Sequence, residues 1–199
     1  MGINFEYTAG QTPLDEEEKE GLLISTITNR AELDEFEQLN IQKAVEWTLR
    51  RKFKKEQILT EDFIKQLHKR MFNEVWKWAG TFRNTNKNLG IDRFQIATEL
   101  RQLLDDTKFW ISHEIYEPDE IAIRFKHRIV SIHCFANGNG RHSRLIADVI
   151  INHIFAKPVY RWGNSTLVNG DRLRNSYLIA IRLADRGNIQ SLIEFACSE

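Results

Sequence analysis

His133-Cys134-Phe135-Ala136-Asn137-Gly138-Asn139-Gly140-Arg141-His142-Ser143-Arg144 is the stretch on which the reading of this chain turns. Before it, Ile121, Ile123, Phe125, Ile129, Val130 and Ile132 run toward Phe135, the pattern of a central helix buried nearly all round. After it, a helix runs from about Arg141 to Phe155 and stops near Pro158. The start of a helix carries unpaired backbone N–H groups and the positive end of the helix dipole, so it attracts phosphate. Gly138 and Gly140 let an anion approach the backbone and tolerate positive φ. Arg141 and Arg144, three apart, share a face, so both guanidiniums can meet one polyphosphate. His133 ends the preceding helix and has the ordinary pKa of a proton acceptor near neutrality.

Singly, each feature has a bland meaning. A Gly-Asn-Gly is usually a turn, a helix-end histidine is usually structural, and two arginines can be a solvated face. In this order they describe a phosphate cradle beside a base, the equipment for phosphoryl or nucleotidyl transfer to a hydroxyl. His142 reads as helix surface, His153 as core or edge, and Trp76 and Trp78 as packing.

Working outward, residues 1 to 13 read as irregular, and Asp15 to Gly21 as a short helix with a glycine C-cap. From Asn29 to about Arg51, Leu33, Phe36, Leu39, Ile41, Ala44, Val45, Thr48 and Leu49 follow helical spacing. Thr60 caps the next helix, whose buried face is Phe63, Ile64, Leu67, Met71, Val75 and Trp76. The turn-rich stretch from Thr81 to Ile91 predicts one short β-hairpin. Helices follow from about Thr98 to His113 and from Glu117-Pro118. A loop is predicted from Trp162 to Val168, then helices from about Gly170 to Asp185 and from Ile189 to Cys197. The predicted fold class is all-α with one small hairpin, a single domain over residues 1–199.

The 28 basic and 28 acidic side chains balance, so no global field draws the chain to nucleic acid or an anionic membrane. The basic run from Arg50 to Lys55 reads as a solvated helix end. Two cysteines without metal-type spacing, no signal-peptide pattern and no apolar run of about 20 residues predict a cytoplasmic protein.

The motif resembles the signature of the Fic family (filamentation induced by cAMP), His-x-Phe-x-Asp/Glu-Gly-Asn-Gly-Arg-x-x-Arg, missing it at one defined position. The resemblance covers most of the chain. Ala79-Gly80-Thr81-Phe82-Arg83, with Asn86 and Ile91 after it, is similar to the lead into the family's hairpin flap, which aligns the target as an extra strand. Glu20-Gly21 and the run from Glu32 to Glu37 further resemble the "mobile mystery protein B" subgroup. The resemblance implies a Fic-type helical bundle, with residues 29–199 as catalytic core and residues 1–28 as a regulatory segment. It implies a protein adenylyltransferase that moves AMP from ATP to a Ser, Thr or Tyr hydroxyl of a target protein. His133 would be the base and Phe135 an anchor. Gly138, Asn139 and Gly140 would form the anion hole, and Arg141 and Arg144 would hold the polyphosphate.

Asn137 stands where the family has Asp or Glu, the ligand of Mg²⁺ or Mn²⁺; an amide oxygen without charge makes a weaker site. Gly140 in place of a lysine argues against the Doc-like kinase branch. Many relatives carry a glutamate that pairs with the second arginine and blocks the outer phosphate; Glu20 is the candidate for it and Glu32 the alternative. An antitoxin or other regulatory partner would fit such control. The competing functions are another Fic-type transfer (phosphate, UMP or removal of AMP) and a catalytically weak nucleotide-binding regulator.

Overall fold

The computed structural model describes residues 14–163 and 170–198. The predicted irregular stretch 1–13 and most of the loop predicted up to Val168 lie outside them. The described chain is helical: α1 (Glu16–Lys19), α2 (Arg30–Arg50), α3 (Lys55–Ile58), α4 (Glu61–Phe72), α5 (Ile96–Ser112), α6 (Pro118–Ile132), α7 (Asn139–Val149), α8 (Gly170–Asp185) and α9 (Gln190–Cys197). A single π-type turn, Ile150–Ile154, continues α7, and a short 3-10 turn, Arg93–Gln95, leads into α5.

Local chemistry sets the helix starts. Asn29 accepts from Glu32 N while the Glu32 carboxylate accepts from Thr28 N at 2.7 Å, a reciprocal cap that opens α2. Thr60 caps α4 through Phe63 N, and Pro118 occupies the first turn of α6. Helix α6 is the centre of the bundle, packed against α5, α7 and α9, while α4 bridges α2 and α7. Along α6 only Ser131 is exposed, in keeping with the expected central helix buried nearly all round. No helix among the described residues is long and apolar enough to cross a membrane.

Three expectations need correction. The buried face of α2 is Leu33, Glu37, Asn40, Ala44 and Thr48, whereas Phe36, Leu39 and Leu49 face solvent. Asn40 earns its burial by bridging to the end of α4, donating to Arg70 O at 2.9 Å and accepting from Glu74 N at 2.9 Å. His142 is not on the surface: it is 1% exposed, and its Nε2 meets Ile64 O at 3.1 Å.

The third correction concerns residues 81–91. They form no hairpin; an isolated antiparallel bridge joins Phe82 to Phe135, and the rest is irregular. Arg83 organises the loop. It is 5% exposed and donates to three carbonyls: His133 at 2.6 Å, Thr85 at 2.7 Å and Ile91 at 2.5 Å. A guanidinium's several fixed donors can staple a loop whose own backbone pairs do not form a ladder.

Candidate active site

The junction of α6 and α7 builds the site. His133 caps α6 in the left-handed conformation, φ 59° and ψ 60°, which costs a non-glycine residue about 1–2 kcal/mol. Asn139 closes the loop that follows: its amide donates to Phe135 O at 2.7 Å and accepts from Phe135 N at 2.9 Å. The Asn139 side chain is thus committed to shaping the loop, and only its backbone N–H faces the cradle expected of it.

Gly138 starts α7 at φ 77°, and a Cβ there would lie 2.5 Å from the Phe72 ring. Both conformation and packing therefore demand glycine. Gly140 is different, since a Cβ built on it meets nothing within 4 Å. The first bond of α7 runs from His142 N to Gly138 O at 2.9 Å, so the N–H groups of Asn139, Gly140 and Arg141 precede it as helix-start donors. No packing among the described residues explains Gly140; open backbone beside such donors suits an anion.

Loop 83–92 covers His133. A Cβ on Gly90, at φ 96°, would lie 2.5 Å from His133 Cβ, and His133 is 7% exposed. Burial above all, then the Arg83 charge, lowers its pKa to about 4; a hydrogen bond with the Val130 carbonyl opposes this and the Lys87 charge adds to it. His133 is therefore neutral at physiological pH, with a lone pair to offer. Moving the loop away would return it toward the ordinary 6.5.

The two arginines leave α7 toward different neighbours. Arg141 lies with its Cζ 4.9 Å from the centre of the Phe72 ring, and its Nη1 donates to Glu37 Oε2 at 2.6 Å. Arg144 is half-buried with its Cζ 5.8 Å from the Tyr177 ring, and burial lowers its pKa. Tyr177 also takes Lys126, a fully buried amine whose Nζ is 2.6 Å from the Tyr177 hydroxyl. Burial and then the Arg144 charge hold the Lys126 pKa well below its ordinary value. Arg144 has no carboxylate within ion-pair distance among the described residues.

Asn137 Oδ1 accepts from Gly138 N at 2.6 Å, and the Asn137 carbonyl meets His68 Nε2 at 3.0 Å. Because His68 Nδ1 accepts from Gly80 N at 3.0 Å, its proton sits on Nε2. Fully buried and stacked 3.7 Å from Phe135, His68 has its pKa held well below the ordinary value by burial, so it is a neutral clamp on the motif loop. Among the described residues no three His, Cys, Asp or Glu side chains gather as a metal site. A divalent ion here would find Asn137 Oδ1, already shared with the Gly138 N–H, while Asn139 Oδ1 is taken by Phe135 N. The donor set fits an ion delivered with a polyphosphate better than one bound by protein alone.

Glu20 does not reach Arg144. It ends α1, exposed, and Glu32 caps α2. Gly21 is required because a Cβ there would lie 2.7 Å from Trp78 Cδ1. The N-terminal residues that do approach the site are Asp15 and Glu18. Both accept from Lys87 Nζ, at 2.7 and 2.5 Å, and tie α1 to the loop over His133. Sequence reading missed Glu37, His68, Arg83 and the Glu18–Lys87 pair. One signal for Glu37 existed: it shares the helical register of Leu33, Asn40, Ala44 and Thr48, and the last three are small or polar, which suits a tightly packed face.

Residues 58–151 match the Fic/DOC family. The chain is similar to a protein adenylyltransferase Fic from Nematostella vectensis, 24% identical over 179 residues, covering 87% of this chain and 40% of that protein. It spans less than half the length of that relative. Among solved structures it resembles Fic-1 from C. elegans, with TM-score 0.65 and 19% identity over 89% of this chain and 50% of that one. It also resembles BepC from Bartonella tribocorum, solved with AMPPNP bound, with TM-score 0.65 and 18% identity over 91% of this chain and 96% of that one.

Proposed function

Because the chain carries a Fic domain, we propose that it is a protein adenylyltransferase that moves AMP from ATP to a Ser, Thr or Tyr hydroxyl of a target protein. The observation that carries this reading is the open helix start at Gly140, which stands beside a buried, neutral His133 on one closed loop. In the step, the hydroxyl oxygen forms a bond to the α-phosphorus and its proton passes to the His133 ring. The bond from that phosphorus to the bridging oxygen breaks, and pyrophosphate leaves. The first N–H groups of α7 stabilise charge on the phosphates, with Arg141 and Arg144 on the outer ones. Mg²⁺ or Mn²⁺ bound with the nucleotide would touch Asn137 Oδ1 and neutralise phosphate charge.

Loop 83–92 must move for the target hydroxyl to reach His133, and the tie from α1 to Lys87 supports the reading of residues 1–28 as a regulatory segment that acts on the loop. In this reading the regulatory role assigned to Glu20 belongs to Glu18 and Asp15. A cytoplasmic location and an antitoxin or other regulatory partner are consistent with this arrangement and belong to the same proposal.

The test is incubation with ATP labelled separately at the α and γ positions, on wild type and His133→Ala. Protein labelled from the α position, and not in His133→Ala, supports AMP transfer. Label from the γ position alone would make the enzyme a phosphoryl transferase and sink the reading. Label from neither position, with tight ATP binding, would make the chain a nucleotide-binding regulator.

A further inference from the structure

Helix α2 lies outside the segment matched to the family, yet it places one carboxylate in the site. Glu37 is 2% exposed, and both its oxygens are used. Oε1 accepts from Trp76 Nε1 at 2.6 Å, and Oε2 accepts from Arg141 Nη1 at 2.6 Å. Trp76 is itself 1% exposed, so the carboxylate is held by a donor that cannot wander. About one turn along α2, the Asn40 bridge fixes the helix to the end of α4, the same helix that carries Phe72. Phe72 lies under Arg141 and against Gly138. The guanidinium is therefore held between a fixed ring and a fixed anion. Among the described residues one of its nitrogens is engaged, and Nε and Nη2 are left as donors.

We propose that Glu37 is a positioning residue: through Trp76 and Arg141 it presents the free edge of the Arg141 guanidinium to the β- and γ-phosphates of a nucleoside triphosphate. The inference rests on the reading of the site as a nucleotide-binding one. A free arginine side chain surrenders about 2 kcal/mol of rotamer freedom when it is fixed on a ligand. Here the fixing is done before the ligand arrives, which is how preorganisation raises affinity. Against it stands repulsion between the Glu37 charge and the phosphates, and the bonded guanidinium lies between the two and screens them. A purely architectural role, tying α2 to α7 through the same pair, makes a different prediction, because it would weaken AMP along with ATP.

The experiment measures dissociation constants for ATP and AMP by calorimetry on wild type, Glu37→Gln, Trp76→Phe, Arg141→Ala and the Glu37→Gln/Arg141→Ala double variant. We expect Glu37→Gln to weaken ATP about tenfold and Trp76→Phe about threefold, with AMP affinity unchanged in both because AMP lacks the outer phosphates. In the Arg141→Ala background, Glu37→Gln should change ATP affinity less than twofold. Unchanged or tighter ATP binding by Glu37→Gln overturns the proposal, as does an equal effect with and without Arg141. Trp76→Phe keeps the ring and the test should the glutamine variant fold poorly. A wild type that binds no ATP would overturn the reading of the site, and the positioning role with it. A wild type that binds ATP as tightly as Glu37→Gln would remove the positioning role alone.

Discussion

Replacing His142 by glutamine removes a titrating group from beneath the motif while keeping a donor for the Ile64 carbonyl. The wild-type ring is buried, packs 5.1 Å from Phe135 and 5.6 Å from His68, and has its pKa lowered by burial to about 4. In the unfolded chain the same ring titrates near 6.5. As pH falls through 6.5 the unfolded state takes the proton first, so His142 contributes full stability above that pH and loses it progressively toward 4. At pH 5.0 the loss from this one ring is about 2 kcal/mol, since each pKa unit of difference is about 1.4 kcal/mol.

Absolute stability is a poor readout of this, because Asp148 works in the opposite direction. Burial raises its pKa to about 7, despite hydrogen bonds from Trp162 Nε1 and Tyr160 N, so it favours the folded state as pH falls. Comparing wild type with His142→Gln cancels Asp148, which both share. Urea unfolding at pH 7.5 and 5.0 should show the wild-type advantage over His142→Gln shrinking by about 2 kcal/mol, roughly 1 M in midpoint at a typical slope. Midpoints that move in parallel, with the gap constant, would refute a neutral buried His142 and with it the packing assigned to the motif loop.

Three further variants test other parts of the site. Lys87→Met strands the buried Glu18 carboxylate and should cost about 3 kcal/mol, the usual penalty for breaking a buried pair from one side. It should also speed amide exchange over residues 15–23, and adding Glu18→Gln should restore much of the loss; unchanged exchange would show that α1 does not hold the loop. Gly138→Ala should destabilise by about 2–4 kcal/mol, from positive φ and the Phe72 clash together. Gly140→Ala should leave the melting temperature unchanged or raise it by a few degrees, because alanine is the better helix residue by up to about 1 kcal/mol. The same Gly140→Ala should weaken ATP; wild-type ATP affinity in that variant would remove the helix start as the phosphate site.

The sequence made the junction of α6 and α7 readable because its signals are local. Glycines at the turn, an apolar helix before it and arginines after it each act within a few residues, and the observed helix start differs from the predicted one by two positions. His142 was misread because periodicity gives a helix's faces but not what covers them; here α4 covers that face through Ile64. In α2 the large apolar residues suggested the buried face, but close approach to α4 selected Ala44, Asn40 and Glu37 instead. The flap-like loop was misjudged for a related reason. Turn residues do suggest a hairpin, and nothing local reveals that one buried arginine, Arg83, will take up three carbonyls and hold an irregular loop instead.

These misses share a physical cause that bears on function. The motif supplies the reacting groups, whereas residues far away in sequence set their state. Arg83 and Gly90 bury His133 and lower its pKa, Glu37 and Phe72 orient Arg141, and His68 grips the Asn137 carbonyl. Arg83, Glu37, Phe72 and His68 are themselves buried, so the geometry of the site depends on the docking of α1, α2 and loop 83–92 onto the α6–α7 pair. Changing Glu18, Lys87 or Glu37 should therefore alter how the site works while every motif residue stays in place. A purely local site would be indifferent to those changes, and the Lys87→Met and Glu37→Gln measurements decide between the two.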